Sequence, residues 1–381
     1  MFENITYVAL DDHKRKHQVA VLLPGMDRDD AITWRIENKR AGIRKMVRKV
    51  LKMAPGDVRF CYEAGPNGYV LQRRIEGFDG VSCVVVAPTK TPRRSGDRVK
   101  TDRRDAKKLV GLFRAGELTG IVPPMPEEEA IRDLCRCRRA AQRHLMASRH
   151  QLDKFLTRNG FVYWEGKNWT RRYREWLRSL SFDDWRRETA FHSYLFGEEQ
   201  DEDRVKRLDA EIIRAAEEEP CRTLVGFVRC FRGLDTLSAM ILITELYAVG
   251  RFMTASAIMG FVGVVPSEDT TGWDPHRGPI TKTGNGHVRR ILVEAAKHYR
   301  HPARISKALA TRRKGQPDWV IAIADKAQAR LHQKYWKMVM GKGKHPNVAT
   351  TAIARELVGF IWSVLSRAAT EMPSVADELV A

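Results

Sequence analysis

Four acids in this chain have the type and placement to hold a divalent cation: Asp11, Glu63, Asp102 and Asp105. Asp11 follows the apolar run Tyr7-Val8-Ala9-Leu10, and Glu63 follows Val58-Arg59-Phe60-Cys61-Tyr62. Each stands where a β-strand would end. Asp102 and Asp105 lie in Lys100-Thr101-Asp102-Arg103-Arg104-Asp105-Ala106, which reads as the start of a helix. Their i, i+3 spacing puts both on one helix face. Carboxylates that converge at neutral pH repel one another unless a cation neutralises them. Hard oxygen donors favour Mg²⁺ or Mn²⁺. Two such ions about 3.5–4 Å apart can drive phosphoryl transfer on a nucleic-acid backbone. Any one of these acids alone is better read as a helix cap or a solvated side chain. Four of them in an alternating strand and helix pattern are what point to a metal site.

The elements that must position them follow from hydrophobic periodicity. Residues 5–23 read as two strands of a hairpin with a polar turn, Asp11-Asp12-His13-Lys14-Arg15-Lys16-His17. Thr33 to Glu37 alternates as a third strand, and 41–53 is a basic helix closed by Pro55-Gly56. A fourth strand spans Val58 to Tyr62, a helix 66–77, and a continuous β-branched strand Val81 to Val86. A basic loop from Lys90 to Lys100 precedes a helix over 102–115. This βββαβαβα order matches an RNase H-like domain over residues 1–120, whose acids cluster at strand ends on one side of the sheet.

From 127 the pattern changes. Ile131, Leu134, Leu145, Leu152, Phe155 and Leu156 recur at helical spacing, among them Arg132, Arg136, Arg139, Arg143 and Arg149. This is a long basic helix, read as a coiled-coil arm with an acidic return helix over 198–219. Between them, Trp164, Trp169, Trp176 and Trp185 interleave with Arg171 and Arg172. Such residues either stack on unpaired bases or pack inside a small helical hairpin. A third region begins near 222. Phe231-Arg232-Gly233-Leu234-Asp235 followed by an apolar helix loosely resembles a helix-hairpin-helix, with Asp235 where a second glycine is usual. Residues 260–290 are rich in glycine, hydroxyls and cations, a composition suited either to a phosphodiester or to a cluster of turns. The remainder is helical and basic to about 368, and 369–381 read as a tail. The expected architecture is α/β plus α: an RNase H-like domain, a helical coiled-coil linker over 121–221, and a mainly α-helical domain over 222–381.

Charge narrows the partner. Lys+Arg is 67 against Asp+Glu 47, a net charge of +20, in a chain of 381 residues with 43% hydrophobic content. Such a protein can bury a sizeable core and is expected to meet a polyanion. No lipidation motif, basic leader or uninterrupted apolar span of membrane length is read, so a membrane is not the expected partner. Cys135-x-Cys137 is one residue short of zinc-knuckle spacing and no matching histidine pair follows. The six cysteines are expected to be reduced thiols in a cytoplasm.

Taken in order, these motifs resemble the DEDD insertion-sequence transposases, or recombinases, which include bridge-RNA-guided elements. Val8-Ala9-Leu10-Asp11-x-x-Lys14 is similar to the family's first acid, Glu63-Ala64-Gly65-x-x-Gly68-Tyr69 to its glutamate motif, and Lys100-Thr101-Asp102-x-x-Asp105-Ala106 to its paired aspartates. Pro266-Ser267-Glu268 through Gly272, then Ile280-Thr281-Lys282-Thr283-Gly284-Asn285, is similar to its C-terminal transposase domain. The resemblance implies a RuvC-like domain binding Mg²⁺ or Mn²⁺ through Asp11, Glu63, Asp102 and Asp105. It also implies a nucleophilic hydroxyl in the C-terminal domain and a covalent protein–DNA intermediate. Expected partners are donor and target DNA, a structured non-coding guide RNA, and further copies of the chain in a dimer or tetramer with composite active sites. The expected setting is the bacterial cytoplasm, at the nucleoid. Expected nucleic-acid contacts are Lys100, Arg132, Arg136, Arg139, Arg143, Arg171, Arg172, Lys282, Asn285, Arg289 and Arg290. One departure stands out. Where the family has a serine before a glycine, this chain has Thr271 before Gly272. Thr271 is the favoured nucleophile, with Thr270 and Ser267 as alternatives. Two rivals remain: a metal-dependent nuclease or junction resolvase using water, and a nucleic-acid-binding relative with an impaired hydroxyl site.

Overall fold

β1 (Thr6–Asp12) and β2 (Lys16–Leu22) form an antiparallel hairpin, and β2 pairs with β3 (Ile32–Glu37) after a 3₁₀ turn at Arg28–Asp30. Then follow α1 (Arg40–Met53), β4 (Val58–Glu63), α2 (Val70–Glu76), β5 (Val81–Val86), α3 (Asp102–Arg114) and a two-residue edge strand, β6 (Gly120–Ile121). The computed structural model describes residues 4–92, 101–271 and 274–371, and leaves out the side chains of 270, 271 and 274–276. Lys100, Gly272 and the expected tail beyond 371 lie outside the described residues. The chain divides into two compact units at Pro123/Pro124.

In the first unit the sheet order is β3-β2-β1-β4-β5-β6, with β1, β4 and β5 parallel and the others antiparallel. Side chains alternate across the pleat. Val8, Leu10, Val19, Val21, Phe60 and Tyr62 pack on one face with Ile43, Met46, Val47 and Val50, the apolar stripe of α1. On the other face Ala9, Ala20, Leu22, Cys61 and Val86 meet Ala106, Leu109 and Val110 of α3. Small residues there let α3 lie close to the central strands. This mixed sheet with helices on both faces is compatible with an RNase H-like domain. Helix α2 begins at Val70 rather than 66, because Gly68 turns at φ +65° and its carbonyl accepts from Tyr62 Oη at 3.0 Å. β6 has too few residues to show a strand pattern in sequence.

The second unit holds α4 (Pro126–Arg158), α5 (Arg171–Arg178), α6 (Trp185–Ala215), α7 (Cys221–Val228), α8 (Thr236–Leu246) and α9 (Ala255–Val262). A hairpin of β7 (Pro266–Thr271) and β8 (Asp274–Ile280) follows, then α10 (Gly286–Ala296), α11 (Lys307–Arg313), α12 (Asp318–Trp336) and α13 (Pro346–Glu371). α4 and α6 run antiparallel along a seam of Ala141, Leu145 and Val205. Arg138 pairs with Asp209, while Arg149 reaches Glu198 and Glu202, each at 2.8 Å. The return helix starts at Trp185 rather than 198, since Phe191 continues its apolar side into a cluster with Phe155 and Leu156. The tryptophans of the tip divide. Trp169 and Trp176 pack in that cluster, with Arg149 stacked 4.6 Å over Trp169, whereas Trp164 and Trp185 are 86% and 74% exposed. α13 is long and apolar enough by length and composition to cross a membrane, yet half of its most apolar stretch is buried. Ile353, Leu357, Val358, Ile361 and Val364 on this helix belong to the core shared with α8, α10 and α12.

Candidate active site

Strand pairing brings the first acids together. β1 and β4 are parallel neighbours with Leu10 opposite Tyr62, so Asp11 and Glu63 follow one residue later on adjacent strands. Ala9 and Cys61, two residues before each acid, both face α3, and pleat parity turns Asp11 and Glu63 the same way. Thr101 caps α3, its Oγ1 accepting from the Arg104 N–H at 3.3 Å, and the first turn presents Asp102 and Asp105. One ligand atom from each of Asp11, His13 and Asp102 lies within 4.8 Å of the others. His13 Nε2 is 3.2 Å from Asp11 Oδ2 and 3.5 Å from Asp102 Oδ1. Lys16 Nζ and an Arg35 guanidinium nitrogen approach the other Asp102 oxygen at 3.6 and 3.8 Å. No ion pair or hydrogen bond joins Glu63 to this group among the described residues.

Electrostatics mark the crowding. Burial pushes the Asp11 carboxyl above its usual range; His13 opposes this, while Asp105 and Asp102 add to it. Burial also works upward on Asp102, but His13, Lys16 and Arg35 together bring it below. A half-buried carboxyl raised by two neighbouring acids, with donor atoms already converged beside it, fits a divalent cation. His13, Lys16 and Arg35 were not among the residues singled out from sequence. His13 stands two residues after Asp11 and so shares its side of the hairpin, a signal the turn's polarity hid.

In the second unit, Thr271 ends β7 opposite Asp274, and Thr270 lies opposite Pro275; the side chains of both threonines are outside the described set. Ser267 donates its hydroxyl to the Pro279 carbonyl at 3.0 Å, which ties the base of the hairpin. Two backbone bonds anchor that base: Thr281 N–H to Val265 O at 2.9 Å and Lys282 N–H to Gly263 O at 3.2 Å. Gly263 and Gly284 both have positive φ, +70° and +74°, and a methyl on either would strike the backbone of Thr283 or Phe261. The glycines of this motif therefore let two chain segments touch.

Below the hairpin lies a buried polar network. Asn285 caps α10, its Oδ1 accepting from His287 N–H at 2.9 Å and Val288 N–H at 3.2 Å. Its Nδ2 donates to Glu245 on α8 at 2.7 Å. Glu245 is 1% exposed and accepts two bonds from Arg136 of α4, at 2.8 and 2.9 Å. Burial alone would raise the Glu245 carboxyl; the bonds from Arg136 and Asn285 overcome this and hold it below its usual range. Arg289 donates to the carbonyls of Val262 at 2.7 Å and Thr283 at 3.2 Å. Arg132 is buried, its guanidinium 5.5 Å from the Tyr247 ring. Arg132, Arg136, Asn285 and Arg289, expected to contact nucleic acid, thus have protein neighbours within the unit. Arg143, Arg171, Arg172 and Lys282 are exposed, and Arg139 and Arg290 half-buried. Glu245 gave no signal in sequence, standing as one acid in an otherwise apolar helix.

Comparison with known proteins agrees with the order of these motifs. Residues 8–160 match a family profile described as a transposase, and 228–310 match one described as the transposase IS116/IS110/IS902 family. A Sinorhizobium fredii protein named as a transposase, y4qE, is 39% identical over 95% of this chain and 89% of its own length. The transposase for insertion sequence element IS1533 of Leptospira borgpetersenii is 36% identical, over 86% of this chain and 95% of that protein. A Pseudomonas aeruginosa protein named as a family 20 transposase is 23% identical over 96% of this chain and 98% of its own.

Proposed function

This chain belongs to the IS116/IS110/IS902 family of transposases, and we propose that it cuts and rejoins DNA through a phosphothreonyl intermediate formed on Thr271. The observation that carries the reading is the convergence of Asp11, His13 and Asp102 within 4.8 Å, with Asp105 close enough to perturb Asp11. Asp11, Asp102, Asp105 and Glu63 would hold Mg²⁺ or Mn²⁺. A divalent ion bound there supplies a Lewis acid that draws electrons from the scissile phosphate. His13, Lys16 and Arg35 approach the Asp102 oxygens at 3.5, 3.6 and 3.8 Å and supply positive charge beside them.

In the proposed reaction, Thr271 Oγ1 loses its proton to solvent and bonds to phosphorus. The bond from phosphorus to the strand's 3′ oxygen breaks, and that oxygen takes up a proton. A 3′-hydroxyl on another strand later attacks the same phosphorus and returns the threonine hydroxyl. Thr271 is favoured because it stands directly before Gly272, where the family has its serine. An element-encoded guide RNA selects the DNA, and several copies of the chain assemble to complete the sites; the net charge of +20 suits both nucleic acids.

The test is a denaturing gel of protein with labelled element-end DNA, the flanking RNA and Mg²⁺. A covalent adduct is expected with the wild type and with Thr271→Ser, and none with Thr271→Ala. Asp102→Asn should lose cleavage altogether. Cleavage by the wild type with no adduct under any trapping condition would instead mean water is the nucleophile.

A further inference from the structure

The turn between α7 and α8 carries a cationic pocket that the proposed chemistry does not use. A cavity of about 370 Å³ is lined by Arg232, Gly233, Asp235, His298, His301 and Arg312, with Ser306 at its edge. The turn has the outline of a helix-hairpin-helix, but the α8 N-terminus is closed to an anion. The Asp235 carboxylate accepts from the Ser238 N–H there at 2.8 Å. The cations beside it have no such counterpart. Arg232 donates to the carbonyls of His298 at 3.5 Å, His301 at 3.0 Å, Pro302 at 2.8 Å and Arg304, so it is fixed in place by neutral acceptors. The Nε of Arg312 is buried without a hydrogen-bond partner.

Burial, reinforced by neighbouring cations, holds Arg232, Arg312 and His298 below their usual values. For Arg312 those neighbours are Arg229 and Arg313, and Asp235 offsets only part of their effect. Asp235 is the single acid among the lining residues, and it is engaged at the helix cap. Half-buried arginines crowded together, with one acid among them that is already engaged at a helix cap, are costly to the fold. They persist most simply where a ligand supplies the missing charge. Gly233, at φ +82°, has no room for a side chain, since a Cβ would lie 2.8 Å from the Ala295 carbonyl.

We propose that this pocket seats a backbone phosphate of duplex DNA, held by Arg312, His301 and the fixed charge of Arg232, apart from the acids that do the chemistry. The inference rests on DNA being the substrate, but not on the metal site. DNA is chosen over RNA because every lining residue except Arg312 lies within the 228–310 segment shared with the transposase family, and Arg312 follows two residues after it. A helix-hairpin-helix outline of this kind lays its turn against a duplex backbone.

The test uses the full chain in EDTA, so that cleavage plays no part. Affinity for a random-sequence DNA duplex is measured against salt for the wild type, Arg312→Gln and Arg312→Lys. Loss of one phosphate contact should lower the log–log salt slope by about 0.9 in Arg312→Gln, and Arg312→Lys should restore it. The melting temperature of unliganded Arg312→Gln should equal or exceed that of the wild type, because a half-buried cation crowded by Arg229 and Arg313 has been removed. Inorganic phosphate at matched ionic strength should raise the wild-type melting temperature more than that of the variant. A wild-type slope in Arg312→Gln would overturn the proposal, as would a lower melting temperature with binding unchanged. So would an effect confined to an RNA duplex of the same sequence.

Discussion

Asp11 and Asp12 are neighbours with the same side chain, and the pleat sends them to opposite faces. Asp11 joins His13 and Asp102, while Asp12 lies 2.8 Å from the buried His17, off the line of a hydrogen bond. Two measurements follow at this scale. Burial raises Asp11, and Asp105 adds to it. Asp105→Asn should therefore move the Asp11 titration midpoint down in the metal-free protein, as read by carboxyl ¹³C chemical shift; no movement would separate the two acids. A raised carboxyl disfavours the ionised folded state, so Asp11 adds stability as pH falls through its folded value. Glu245 has the opposite sign. Its depressed carboxyl stabilises the fold above the unfolded value, and that contribution is lost as pH falls through the folded one. Glu245→Ala should cost about 2 kcal/mol near neutral pH, the scale of hydrogen bonds to a buried charge. In urea titrations the difference between wild type and Glu245→Gln should shrink as pH drops below the usual glutamate range. A difference constant with pH would show that the charge of Glu245 does not matter.

At the scale of elements, the hairpin of β7 and β8 depends on the contact between Gly263 and the segment through Gly284. Gly284→Ala must place a methyl against the Phe261 carbonyl from a left-handed backbone. A cost of at least about 2 kcal/mol is expected from conformational strain and clash together. The variant should melt at lower temperature and also lose adduct formation, since the strand that carries Thr271 would shift. Gly250→Ala meets nothing within 4 Å and serves as the comparison. Equal behaviour of the two variants would show that the close approach is not needed. The arm formed by α4 and α6 is a second such device. Glu198, fully buried, is bonded by Arg149 at 2.8 Å and by Arg174 at 3.1 and 3.2 Å, so the charges across the seam set its register.

For the whole molecule, the surplus of 67 basic over 47 acidic residues sets the reach of its field. Binding to DNA should weaken steeply with salt, by about 0.9 in log–log slope for each phosphate neutralised. Fluorescence anisotropy across a salt series measures this, and a slope near zero would remove the polyanion from the account. Structured RNA with exposed bases should bind more tightly than random duplex, because Trp164 and Trp185 present open ring faces. Trp164→Ala with Trp185→Ala should narrow that preference, whereas Trp169→Ala, within the packed tip, should act on stability.

Much of this was legible in the order of residues because local patterns carry it. The alternation of Val8, Leu10, Val19 and Val21 and the stripe Ile43, Met46, Val47 and Val50 name their own elements. The positions of Asp11, Glu63, Asp102 and Asp105 at strand and helix ends follow from those elements, and so does the polyanion from the charge. Contacts between distant segments were not legible, since no local period encodes them. The approach of His13, Lys16 and Arg35 to Asp102 depends on strand pairing and on how α3 lies across the sheet. Likewise Arg136 and Asn285 read as nucleic-acid contacts, but packing places both against Glu245. A side chain's type limits the bonds it can make, but burial among distant neighbours decides which of them it makes.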